Sequence, residues 1–86
     1  MREIAAIAAR PHAVRFEEIA NIVAQLQRLG FPVSCREVRH GTLFRVYRRM
    51  FQITKHNRGS SQIRAFYVRE FLKAMTDLEL YEVNHE

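Results

Sequence analysis

At 86 residues the chain has room for one domain and one hydrophobic core. Hydrophobic residues make up 48% of it, and no apolar run approaches the roughly 18 residues that a membrane span needs, which argues against a membrane protein. The formal net charge is +5 and the pI is about 10.1, values that disfavour an acidic or neutral enzyme surface and favour a polyanionic partner.

Residues 1–10 are Ala-rich and predict a short helical turn, ended by Pro11; they read as an N-terminal extension. From Phe16 to Leu29 the apolar positions Phe16, Ile19, Ala20, Ile22, Val23, Leu26 and Leu29 recur every three or four residues, which predicts an amphipathic helix. Glu17 and Glu18 suit its positive N-terminal end, Arg28 its C-terminal end, and Gly30 and Pro32 stop it.

Three strand-like segments follow. Val33–Arg39 is the first, with Cys35 expected as a half-buried strand thiol and His40-Gly41 as the turn after it. Thr42–Arg48 alternates Thr42, Phe44 and Val46 on one face with Leu43, Arg45 and Tyr47 on the other. Arg48-Arg49 reads as the next turn, and Met50–Lys55 as the third strand. Residues 56–62 are expected to form a polar loop.

A second helix is expected from Ile63 or Arg64 to Asp77, with Val68, Phe71, Leu72 and Met75 buried and Arg64 and Lys73 projecting away. Leu78 to Glu86 is an acidic stretch expected to fray, of which 81–86 is read as a C-terminal tail. The expected fold is α+β: a three-stranded antiparallel sheet with two helices on one face, in the order α-β-β-β-α. That is the layout of a double-stranded-RNA-binding domain, with the second sheet face open.

Charge is concentrated. Arg36, Arg39, Arg45, Arg48, Arg49, Lys55, Arg58, Arg64, Arg69 and Lys73 face only Glu37 and Glu70 in the same stretch, a local excess of +8. Twelve of the fourteen cations are Arg, whose planar fork matches phosphate and stacks on bases. RNA is therefore the expected partner, held by Arg39, Arg45, Arg48, Lys55, Arg58 and Arg64, with Tyr47 as a base-stacking candidate. A single cysteine suits a reducing, cytoplasmic setting. The four His and one Cys lack any zinc-type spacing, so neither metal nor cofactor is expected.

Several segments resemble the HicA-like (YcfA-like) family of bacterial toxins. They are Arg10-Pro11 with Val14-Arg15-Phe16-Glu17-Glu18-Ile19, Leu29-Gly30-Phe31, Gly41-Thr42, and Val68-Arg69-Glu70-Phe71-Leu72-Lys73. The resemblance covers about residues 10–80 and makes 11–80 a HicA-like domain. It implies a double-stranded-RNA-binding-domain-like fold and metal-independent cleavage of messenger RNA. It also implies a histidine in a Gly-Ser-His motif and an antitoxin that covers the site.

The sequence departs from that pattern at the decisive position, where Leu43 stands for the family histidine. Metal-free RNA cleavage needs a group that accepts a proton and one that donates it, and leucine does neither. His40 and His56 are the substitutes that remain, both titratable near neutral pH when unperturbed. Three functions stay open: DNA binding, for which no helix-turn-helix spacing is visible, an RNA-binding domain of toxin type, with or without endoribonuclease activity, and a protein-interaction module. The interaction module would dock an acidic antitoxin-like partner, or a second copy as a homodimer, through the open sheet face around Leu43 and Tyr47.

Overall fold

The structure is a computed structural model, described for residues 2–54 and 63–81. Its elements are α1 (Arg2–Ala9), α2 (Phe16–Arg28), β1 (Val33–Val38), β2 (Gly41–Val46), β3 (Arg49–Thr54) and α3 (Ala65–Asp77). The three strands form one antiparallel sheet in the order β1-β2-β3. The expected α-β-β-β-α arrangement is present, preceded by an additional short helix.

That helix belongs to the core. Ile4 and Ile7, one turn apart, are both fully buried, and α1 packs against α3. The segment read as an extension therefore supplies apolar area that a domain of this size needs.

Helix α2 forms where the apolar stripe lies, burying Ile19, Ile22, Val23 and Leu26. It ends in a Schellman motif. Gly30 takes φ +92°, its N–H donates to the Gln27 carbonyl at 3.1 Å, and the Phe31 N–H donates to the Leu26 carbonyl at 3.0 Å. Leu29 sits at the cap and is 64% exposed, so it drops off the buried stripe on which the periodicity placed it.

Helix α3 ends the same way but without a glycine. Glu79 takes φ +61°, with Glu79 N–H to the Thr76 carbonyl at 3.0 Å and Leu80 N–H to the Met75 carbonyl at 2.9 Å. Leu78, Leu80 and Tyr81 pack against the core, so the chain after α3 is anchored at least to Tyr81. The buried face of α3 is Val68, Phe71, Ala74 and Met75, with Leu72 only partly covered.

The alternation in β2 and β3 decides which sheet face meets the helices. Phe44, Val46, Phe51 and Ile53 are buried, while Arg45, Met50 and Gln52 are exposed. Phe44 anchors the layer, stacked on Phe51 at 5.4 Å between ring centroids and tilted against Phe16 at 6.0 Å.

Both hairpin turns sit one residue earlier than the sequence suggested. Val38 pairs with Gly41 and Val46 with Arg49, which leaves Arg39-His40 and Tyr47-Arg48 as the two-residue turns. Gly41 thus opens β2. A Cβ there would run into the Ile53 backbone carbonyl, so the position accepts only glycine without displacing β3.

Candidate functional site

The face of the sheet away from the helices is built from three cross-strand rows. Val38, Gly41 and Thr54 form one; Arg36, Leu43 and Gln52 the next; Ser34, Arg45 and Met50 the third. Leu43 is the central residue and is partly exposed, as its place in the alternation required. Arg36 and Arg45 flank it, one across the strands and one along them. Met50 is 58% exposed, so the face mixes cations with apolar surface. Among the described residues no element covers it.

The candidate residues among those described are distributed over four places. Arg45 lies on the open face, exposed. Arg39 and His40 form the β1–β2 turn at one end of the sheet, both exposed. Tyr47 and Arg48 form the turn at the other end, separated from the first by the length of β2, about 20 Å at 3.4 Å per residue. Arg64 precedes α3 and is exposed. Lys55, His56 and Arg58 lie outside the described residues. His40 and His56 are therefore not shown together.

Tyr47 is not on the open face of β2, where the alternation had put it. The hairpin closes at Val46, so Tyr47 becomes the first turn residue with φ +57°, a conformation uncommon outside glycine and Asn. Its N–H donates to the Pro32 carbonyl at 2.8 Å. Its ring is half exposed, and the Arg48 guanidinium lies 5.3 Å from the ring centroid in a cation–π contact. Tyr67, by contrast, packs against the core.

Cys35 also differs from expectation, being exposed rather than half-buried. The row it occupies lies on the helix side of the sheet, but Val33 is the only buried residue of β1. Ser34, Cys35, Arg36 and Glu37 are all exposed.

Ion pairs remove some cations from the field. Arg49 Nε donates to Asp77 at 2.9 Å and its guanidinium lies 4.0 Å from Glu70, which ties β3 to α3. Lys73 sits 3.6 Å from Glu70. Arg10 pairs with Glu18 at 2.7 Å, which raises the guanidinium pKa and holds the Glu18 carboxyl below the usual range. Arg36, Arg39, Arg45, Arg64 and Arg69 have no ion pair among the described residues. Arg36 is the member of the interface that sequence reasoning left out. Its strand position, in register with Leu43, is what reveals it.

No group of His, Cys, Asp and Glu capable of holding a metal ion occurs among the described residues, and no described helix is long and apolar enough to cross a membrane. Comparison with protein families, with curated proteins and with solved structures finds no match for this chain.

Proposed function

We propose that this chain is an RNA-binding domain of HicA-like type that contacts RNA through the open sheet face and the two hairpin turns. The observation that carries the reading is the set of arginines left over after the ion pairs are formed. Arg36 and Arg45 flank Leu43 on an uncovered face, and Arg39 and Arg48 occupy its two ends. An uncovered antiparallel sheet with guanidinium groups and an exposed aromatic suits phosphates and unstacked bases better than the grooves of B-form DNA.

The same geometry disfavours cleavage by the family's chemistry. Leu43 stands at the centre of the face, beside Arg36 and Gln52, and none of the three exchanges a proton near neutral pH. The reading is thus binding without the usual catalyst.

Two arginines that each hold one phosphate contribute about 1.4 to the slope of log K against log salt for a single strand. Arg36→Ala with Arg45→Ala is expected to flatten the slope by that amount. A slope identical to that of the native protein would dismiss this surface. In chelator the native protein is expected to leave RNA intact. Cutting by the native protein that stops in His40→Ala or His56→Ala would replace the binding-only reading with an endoribonuclease whose site has moved. The variant Leu43→His belongs in the same assay, since a polar group is tolerated on that face.

A second reading rests on Met50 and Leu43. Exposed apolar side chains beside arginines also suit an acidic protein partner of antitoxin type. Elution of the purified protein free of RNA at moderate salt would favour it.

A further inference from the structure

Tyr47 occupies a position that glycine normally holds. In the two-residue turn Tyr47-Arg48 the first residue has φ +57°, whereas φ of the second is not positive. Positive φ at the first central residue alone is the pattern of a type II′ hairpin turn, whose first position favours glycine. A side chain in that conformation crowds its own backbone, at a cost in stability. The Tyr47 N–H donates to the Pro32 carbonyl at 2.8 Å, which ties the turn to the chain entering β1.

The fold offers the Tyr47 ring little in return. Tyr67 and Tyr81 pack against the core, whereas Tyr47 does not and is 50% exposed. Among the described residues its hydroxyl makes no hydrogen bond, and its ring stacks on no other ring. The one stacking contact is the Arg48 guanidinium, 5.3 Å from the ring centroid. A cation–π pair on an exposed turn is at most comparable with the backbone cost it has to offset.

Two features select the occupant. The ring and guanidinium form a stack with ring surface still open, which suits a further flat group. Arg48 also has no ion pair among the described residues, so its N–H edge is free to donate to an anion. A nucleotide brings a flat base and a phosphate in one unit. An aliphatic side chain of a protein partner would cover the ring but desolvate the cation beside it. A carboxylate would pair with Arg48 but meet the negative face of the ring. Arg45 lies two residues back along β2, about 7 Å at 3.4 Å per residue, where it reaches a neighbouring phosphate on the open face.

We infer that Tyr47 and Arg48 form a stacking site for one unpaired RNA base, with Arg48 holding the phosphate of that nucleotide. The inference rests on the RNA-binding reading above and names the part of the RNA that this turn recognises. A base inside a duplex is covered on both faces by its neighbours, so the site takes its base from a single strand or a loop. The turn gives up backbone stability for an exposed ring, as residues held in rare conformations at binding sites do.

The test measures binding of the full chain to a labelled single-stranded RNA and to an abasic strand of the same length. Tyr47→Ala is expected to weaken binding to the RNA by about 5- to 150-fold and to leave the abasic strand unaffected. Tyr47→Phe keeps the ring and is expected to keep the affinity. The salt slope of Tyr47→Ala matches that of the native protein, because no charge is removed. Tyr47→Gly loses the same affinity while its Tm holds or rises, since glycine adopts this turn without strain. A lower Tm in Tyr47→Gly assigns the ring to the fold and overturns the inference. Equal affinity of native protein and Tyr47→Ala for the RNA overturns it too, as does an equal loss on the abasic strand. In these cases RNA binding by the native protein keeps the broader reading; a native protein that binds neither strand overturns both.

Discussion

Leu43 and Phe44 are neighbours in β2 on opposite sides of the sheet, and replacing each by Ala tests the orientation on which the candidate interface depends. Phe44 is fully buried, with Phe51 and Phe16 at 5.4 and 6.0 Å between centroids. Truncation of a buried Phe costs about 3–5 kcal/mol, because both transfer energy and a cavity are involved. At roughly 0.05–0.15 kcal/mol per residue, a domain of this length has about 4–13 kcal/mol of stability in total. Phe44→Ala is thus expected to remove between about a quarter and all of that stability, and Phe44→Leu to cost about 1–2 kcal/mol. Leu43 is partly exposed on the open face, so Leu43→Ala should cost about 1 kcal/mol or less. Urea unfolding followed by circular dichroism measures all three. With m near 1 kcal/mol/M, the Phe44→Leu midpoint falls by about 1–2 M and the Leu43→Ala midpoint by less. A double-mutant cycle with Phe51→Leu should return a coupling of about 0.5–1.5 kcal/mol for the stacked pair. If Leu43→Ala proves as costly as Phe44→Ala, the sheet faces are reversed and the proposed interface is buried.

Other consequences are independent of that face. Glu79 holds a left-handed conformation that glycine adopts at less cost, so Glu79→Gly should stabilise by about 0.5–1 kcal/mol and raise Tm by about 2–8 °C; an unchanged or lower Tm would speak against the cap geometry. Gly41→Ala should destabilise by about 2 kcal/mol or more, since its Cβ meets the Ile53 carbonyl rather than a movable side chain; thermal melting reads this directly. Glu18 is held below the ordinary carboxylate range chiefly by its hydrogen bond from Arg10. A depressed folded-state pKa means the stabilisation is present above the unfolded value near 4.3 and is lost as pH falls through the folded value. The Tm difference between native protein and Glu18→Gln should therefore be present at about pH 7 and vanish near about pH 2; a difference that persists there would refute the linkage.

The interface itself was only partly legible in the residue list. The alternation in β2 correctly put Leu43 and Arg45 on the uncovered side, because a period of two is a local property. Tyr47 was misplaced because a shift of one residue in a turn changes which face a residue belongs to, or removes it from the strand altogether. Arg49 looked like any other cation of the basic stretch until α3 brought Asp77 and Glu70 to it from more than twenty residues away. Arg36 emerged only through register, which pairs it with Leu43 across the ladder.

What the chain determines locally is its set of elements: the stripe of α2, the glycine that ends it, the alternation of β2 and β3, and the buried face of α3. Each follows from periodicity or from one residue's backbone freedom, and neither needs a distant partner. Tertiary structure decided the rest. Ile4 and Ile7 turn a short Ala-rich helix into core because α3 offers them a surface. Cys35 is exposed although its row lies on the helix side, because no described part of the chain lies over β1 beyond Val33. Burial depends on what another part of the chain lays over a residue, and that is a long-range property that composition and spacing do not carry.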